Sequence, residues 1–203
     1  MKKLILTLAV AGLGLSAIAT PPAKKADESF NVDTKASTFK WLATKVTGEH
    51  YGVANFSKGV VTTNGKTLTG GEIVVDMTSI DATDLTGEYH DKLVGHLKSD
   101  DFFSTEKYNT ANLVVTSAKP MKADKAGNNY TIVANLTIKG ITQEVTFPAI
   151  VVVNAKQVIV NANFDIDRTK YDIKYGSKSF IEGIGDKAIS DMFNVKVRVV
   201  AAK

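Results

Sequence analysis

Hydrophobic and polar residues alternate with a period of two along most of the chain. From Tyr130 to Gly140, Tyr130, Ile132, Ala134, Leu136 and Ile138 share one side. Thr131, Asn135, Thr137 and Lys139 take the other, with Val133 as the exception. Val158 to Ile166 repeats this, with Val158, Val160, Ala162, Phe164 and Ile166 set against Ile159, Asn161, Asn163 and Asp165. Met192 to Val200 sets Phe193, Val195, Val197 and Val199 against Asn194, Lys196 and Arg198. Successive strand side chains point to opposite faces, so this alternation predicts half-buried antiparallel strands. Further strands are expected over Ser37–Val46, Val53–Thr63, Leu68–Ile80, Asn112–Lys119 and Glu144–Val153. Turn signals separate many of them: Thr63-Asn64-Gly65, Ala126-Gly127-Asn128 and Lys139-Gly140. Eight or more sequential strands with one apolar face close into a barrel or stack as a sandwich. A barrel of about eight strands has an interior that side chains fill or that one slim ligand occupies. The strand pattern alone leaves both versions open.

One stretch departs from period two. Within Glu88 to Leu97, Tyr89, Leu93, His96 and Leu97 stand at i, i+4, i+7 and i+8, one face of a short helix. That face turns His96 inward, and Gly95 weakens the last turn. The following residues, up to Tyr108, read as a loop covering one barrel end. Two consecutive aromatics in a loop, Phe102 and Phe103, are expected to divide their roles: one packs the barrel end and the other meets a ligand. Asp100 and Asp101 are expected to serve as polar turn or cap residues.

Composition changes the picture mainly at the N-terminus. Lys2 and Lys3 precede an apolar run from Leu4 to Leu15, and Ala17-Ile18-Ala19 supplies small residues for cleavage. This three-part pattern predicts a secretory signal peptide over residues 1–19, cut near Ala19, with the mature protein periplasmic or secreted. The run is too short for a comfortable membrane span, and no second long apolar run follows. Residues 20–29, rich in Pro, Lys and Ala, read as a flexible leader, and residues 30–203 as one domain. The chain has no cysteine, so no disulfide and no lipid-bearing thiol. Its 25 basic and 21 acidic residues include two lysines of the expected signal peptide and form no basic cluster, so nucleic-acid binding has no footprint.

Catalytic chemistry has weak support. His90 and His96 are six apart, which turns them away from each other on a helix, and no His-Glu-x-x-His pattern is present. No metal site is therefore expected, although loop folding could bring His50 beside either of them. Gly176-Ser177-Lys178-Ser179 lacks the glycine that a nucleophile elbow needs after its serine, while a triad in another chain order stays open. His96 has two readings: a core histidine bonded to a carbonyl, or a polar handle at the mouth of an apolar cavity.

The run His96-Leu97-Lys98-Ser99-Asp100-Asp101-Phe102-Phe103, followed by Glu106-Lys107-Tyr108, resembles the central motif of the YceI-like family. Three more segments agree in order. Val32-Asp33 precedes Ser37-Thr38-Phe39 and Trp41. Leu136-Thr137-Ile138-Lys139-Gly140-Ile141-Thr142 comes next. Asp167-Arg168-Thr169-Lys170-Tyr171 precedes Gly185-Asp186-Lys187-Ala188-Ile189. Relatives often carry Gly or a small residue where Asp172 follows Tyr171. The resemblance implies a lipocalin-like antiparallel barrel with a long apolar tunnel, in an exported bacterial protein. It also implies a long-chain lipid ligand, such as a polyisoprenoid, an isoprenoid quinone or a fatty-acid-like amphiphile, with no other cofactor and no enzymatic activity. Phe39, Trp41, Leu136, Ile138, Phe147, Phe164 and Ile166 are candidate lining or core residues. His96, Phe102 and Phe103 are placed at the covered end. A filled barrel serving as an envelope scaffold, a lipid hydrolase using His96 or His50, transient membrane contact and a homodimer through an outer strand face remain alternatives or additions.

Overall fold

The computed structural model describes residues 26–203. The expected signal peptide and residues 20–25 of the leader lie outside the described residues. Nine strands form one sheet: β1 (Glu28–Val32), β2 (Thr38–Lys45), β3 (Gly48–Asn64), β4 (Thr67–Ala82), β5 (Thr110–Pro120), β6 (Tyr130–Ile138), β7 (Ile141–Val153), β8 (Gln157–Asp167) and β9 (Ile189–Ala202). The helix α1 (Gly87–Lys98) lies between β4 and β5. Every pairing is antiparallel, and each of β2 to β9 has partners on both sides, so the sheet closes into a barrel.

Nine strands occupy eight barrel positions, because β1 and β2 share one. Along β3, Thr63 to Val60 pair with Glu28 to Asn31, and Ala54 to Gly48 pair with Phe39 to Lys45. Across the other edge, β9 pairs with β2 over most of its length and with β1 at Ala201 and Ala202. The closing strand is thus made of two pieces, joined by a turn at Asp33 whose carboxylate accepts from the Lys35 and Ala36 N–H groups. Glu28 and Ser29, expected in the flexible leader, are strand residues instead. Their β-ladder partners are supplied by the upper part of β3, which extends past β2.

The predicted alternation sets the inside and outside. In β6, Tyr130, Ile132, Ala134, Leu136 and Ile138 are all buried. Lys139 and Gly140 both take positive φ (50° and 74°), the two-residue turn whose twist suits a hairpin, and they connect β6 to β7. Asp172 also takes a positive φ, 58°, a conformation that Gly adopts without strain and Asp tolerates. Gly52 leaves room for Trp41: a Cβ there would lie 2.7 Å from its ring, and the indole N–H donates to Asp81 O at 3.1 Å.

The two barrel ends differ. One is stoppered by Phe30, Leu68, Tyr130 and Val158, with Leu68 N–H donating to the Tyr130 hydroxyl at 3.3 Å. The other carries α1, the segment 99–109, the β6–β7 turn and the long β8–β9 connection. That end holds the candidate site.

Candidate functional site

The barrel lumen together with the open space at its mouth leaves about 1450 Å³ free of protein atoms. Its wall is almost wholly apolar side chain, contributed by strands all round the barrel. Phe39, Trp41, Leu136, Ile138, Phe147, Phe164 and Ile166 all reach this wall. Phe147 and Phe164 stack face to face with centroids 4.0 Å apart, and Phe39 meets Phe56 edge-on at 6.1 Å. Phe39, Val160, Phe164, Phe193 and Val197 point inward yet remain only half-buried. Their accessible surface faces the lumen. Native cores pack to near-crystalline density, so inward apolar side chains that keep accessible surface mark space not filled by the protein.

The covered end is built by tight hydrogen bonding after α1. Phe103 N–H donates to Leu97 O, and the Ser104 and Phe102 N–H groups both donate to Ser99 O. Ser104 takes φ 52°, and its hydroxyl donates to the Asp100 carboxylate. Asp100 therefore acts as the turn residue expected of it. This compact turn brings both Phe102 and Phe103 to the tunnel wall, 8% and 7% exposed, with their rings edge-on at 5.0 Å. Both rings line the tunnel wall together, with the segment coiled back on itself.

His96 is corrected. It does not reach the tunnel wall; Leu97 is the buried, wall-lining residue of α1, with Leu93 and Val94 packed on the core. One residue step turns a helix by about 100°, so His96 lies beside the buried stripe rather than on it. Its ring rests on Tyr175 (4.3 Å) and Phe102 (5.6 Å), and its Nε2 is buried without a hydrogen-bond partner. Tyr89, expected on the same inward face, is 75% exposed. The other histidines bind carboxylates outside the tunnel. His50 Nδ1 lies 2.7 Å from Asp84, and His90 bridges Asp81 (2.7 Å) and Asp91 (2.9 Å). Their hydrogen bonds hold the His90 imidazolium above its usual pKa, Asp91 contributing most and then Asp81. Among the described residues no group of three or more His, Cys, Asp or Glu could hold a metal ion.

Arg168 is the residue sequence reasoning missed. It is 2% exposed and reaches the tunnel wall beneath the β8–β9 connection. Its Nε donates to Ser190 O at 2.9 Å, Nη1 to Ile173 O (2.9 Å) and Tyr175 O (2.7 Å), and Nη2 to Ile189 O (3.2 Å). Asp191 stands 3.6 Å from Nη2. Burial outweighs that carboxylate and lowers the pKa of the guanidinium. Asp191 is itself desolvated, yet hydrogen bonds from Ser177 and Ser179 and the Arg168 charge bring its pKa below the usual carboxylate value. Beside them the Tyr171 hydroxyl is buried without a partner, and burial pushes its pKa up to about 12. The wall is therefore mostly apolar, with Asn112, Ser190 and the hydrogen-bonded Arg168 as its polar side chains.

A closed antiparallel barrel with an apolar lumen and a covered end defines a lipocalin-like fold. The chain belongs to the YceI-like domain family, which matches residues 30–201. Among solved structures it resembles BcnA of Burkholderia cenocepacia (20% identity, TM-score 0.63, covering 84% of this chain and 99% of that one). It also resembles a polyisoprenoid binding domain from Saccharophagus degradans implicated in plant cell wall breakdown (17% identity, TM-score 0.58, 85% and 97%). A third likeness is to the YceI protein of Campylobacter jejuni (17% identity, TM-score 0.54, 74% and 84%). At these identities the likeness shows the fold. No match was found among curated proteins.

Proposed function

We propose that this protein is an exported carrier that holds one long apolar chain in its barrel. The cargo is a polyisoprenoid, an isoprenoid quinone or a fatty-acid-like amphiphile, carried for transport, storage or stress protection. The observation behind this reading is the lumen: inward side chains from strands all round the barrel keep accessible surface against empty space. Each methylene moved from water into such a tunnel gains about 0.8 kcal/mol, offset by lost chain entropy and the cost of association. Shape dominates recognition, because Arg168, the charged side chain at the wall, already donates four hydrogen bonds to protein carbonyls. No histidine reaches the wall, which favours holding over hydrolysis. The Saccharophagus degradans relative, described as polyisoprenoid binding, supports the cargo class. The N-terminal pattern of basic start, apolar run and small residues supports export to the periplasm or beyond.

The test is to purify the processed protein from its native envelope, extract it with organic solvent, and weigh both extract and intact complex by mass spectrometry. A stoichiometric long-chain lipid is expected. An empty protein that also refuses isoprenoids, quinones and fatty acids on titration refutes the carrier reading in favour of a scaffold.

A further inference from the structure

The β8–β9 connection displays apolar side chains to the outside from a firmly built support. Tyr175, Phe180 and Ile181 are 50%, 52% and 43% exposed, and Val46, in the β2–β3 turn at the same barrel end, is 54% exposed. The backbone beneath them is not slack. Ser177 is fully buried; its N–H donates to Lys174 O at 3.0 Å, and its carbonyl accepts from the Phe180 (3.2 Å) and Ile181 (2.9 Å) N–H groups. Arg168 holds Tyr175 O, and Gly176, at φ 64°, packs so closely on Ile189 that a Cβ there would meet it at 2.9 Å. A loop pinned at this many points has buried what it needs to bury, and the outward aromatics are left over.

Charge and position identify what they meet. Among the described residues Lys45, Lys170, Lys178 and Lys187 form no ion pair, and all stand at this end. Against them stand Glu182 and Asp186 of the loop and Glu49 of the β2–β3 hairpin, likewise without an ion pair among the described residues, while Asp172 is paired with Lys174 at 2.7 Å. Lys45 and Lys178 line a shallow crevice with Val46, and that crevice shares Ile189 and Ser190 with the tunnel wall. Apolar tips ringed by long cationic stems suit a phospholipid interface, where aromatics sit at headgroup level and lysines reach phosphates. A second protein copy fits less well. Four half-exposed side chains offer on the order of 400 Å², about half of the ~800 Å² per partner of a stable interface.

We propose that this end of the barrel docks on an anionic phospholipid bilayer, with Phe180 and Ile181 inserting and the lysines meeting lipid phosphates. The docking rests on the carrier reading and deepens it, since it sets the loop-covered end of the tunnel against a lipid source. Protein expressed as the full chain is co-sedimented with phosphatidylethanolamine vesicles, with and without phosphatidylglycerol. Wild type is expected to bind the anionic vesicles and to be released by salt. F180S/I181S loses at least about tenfold in partitioning, the cost of withholding two apolar side chains. K178E/K187E loses the preference for phosphatidylglycerol. Both variants keep wild-type uptake of a soluble fluorescent fatty acid in vesicle-free buffer, because none of these residues reaches the tunnel wall. Unchanged vesicle binding by F180S/I181S, or none by wild type, overturns the docking. So does a wild-type dimer that the same substitutions dissociate. A protein that docks but takes up no chain defeats the carrier reading and leaves the docking standing.

Discussion

Arg168 clamps the end of the tunnel, and removing its guanidinium shows how much of the barrel's stability depends on that clamp. Met in its place keeps an unbranched apolar stem and removes every donor. Four backbone carbonyls, those of Ile173, Tyr175, Ile189 and Ser190, lose their partners at once, and Asp191 loses its cation. A net contribution of about 1 kcal/mol per hydrogen bond gives a floor of about 4 kcal/mol. Stranded buried carbonyls cost more, and water entering a loosened loop returns part of it, so about 4–6 kcal/mol is expected. That is a large share of the ~5–15 kcal/mol by which domains are stable. For a domain of this size it lowers the melting temperature by roughly 8–24 °C. Arg168→Lys lies between, because one ammonium cannot span carbonyls from two chain segments. Urea and thermal unfolding followed by circular dichroism measure both. An Arg168→Met variant within about 1 kcal/mol of wild type refutes the clamp. A pH signature accompanies the effect. Asp191 has a lowered pKa in the fold, so its contribution is present above the unfolded value and is lost as pH falls through the folded one. Arg168→Met raises the folded value and moves that acid loss to higher pH.

Other perturbations test neighbouring parts. Ala162 faces the lumen, so Ala162→Trp should cut uptake of a long chain at least about tenfold at a folding cost of roughly 1–3 kcal/mol; unchanged uptake in a titration places the chain elsewhere. Phe164→Ala removes a stack on Phe147 from a half-buried position and should cost about 1–3 kcal/mol, below the ~3–5 typical of a fully buried Phe, and admit bulkier chains. Unfolding together with a ligand-width series decides this, and a cost of the full-burial size contradicts the open lumen. His90 should titrate above the ordinary histidine value in an NMR experiment. The stabilisation from its bonds to Asp91 and Asp81 is complete below that ordinary value and is lost as pH rises through the raised one. Asp81→Asn and Asp91→Asn should each bring the midpoint down, and a midpoint at or below the ordinary value removes His90 as a tie between α1 and β4.

Period two made the barrel legible because it reports directly on which side of a sheet a residue faces. Seven strand residues, from Phe39 to Ile166, were legible as inward-facing, either lining or core, and all of them reach the tunnel wall. It failed where few inward residues mark a strand. β1 shows only Phe30 and Val32, and the start of β3 is Glu49-His50-Tyr51, with none of the three fully buried, paired by its hairpin rather than by burial. On α1 a helical face is broad: of the residues assigned to it, Leu97 is buried while Tyr89 is exposed and His96 lies at its edge. Arg168 was invisible for a different reason. Nothing in a hydrophobicity pattern announces a buried cation, and its role depends on carbonyls contributed from a distant segment. The available signal was local: Asp167 caps the turn by accepting from the Thr169 N–H and hydroxyl, which marks where β8 stops and the connection begins.

The two-piece closing strand bears on how the molecule reaches this shape. Ser37 and Val200 exchange hydrogen bonds across 163 residues of sequence, and β1 and β2 find their second partner only in β9. Until the last strand arrives, β2 to β8 form an open sheet with two unsatisfied edges and its apolar face to water. Closure is therefore a late, long-range event, and the slow phase of folding should belong to it rather than to the hairpins, which can assemble locally. A chain arrested before β9 is a template for edge-to-edge aggregation.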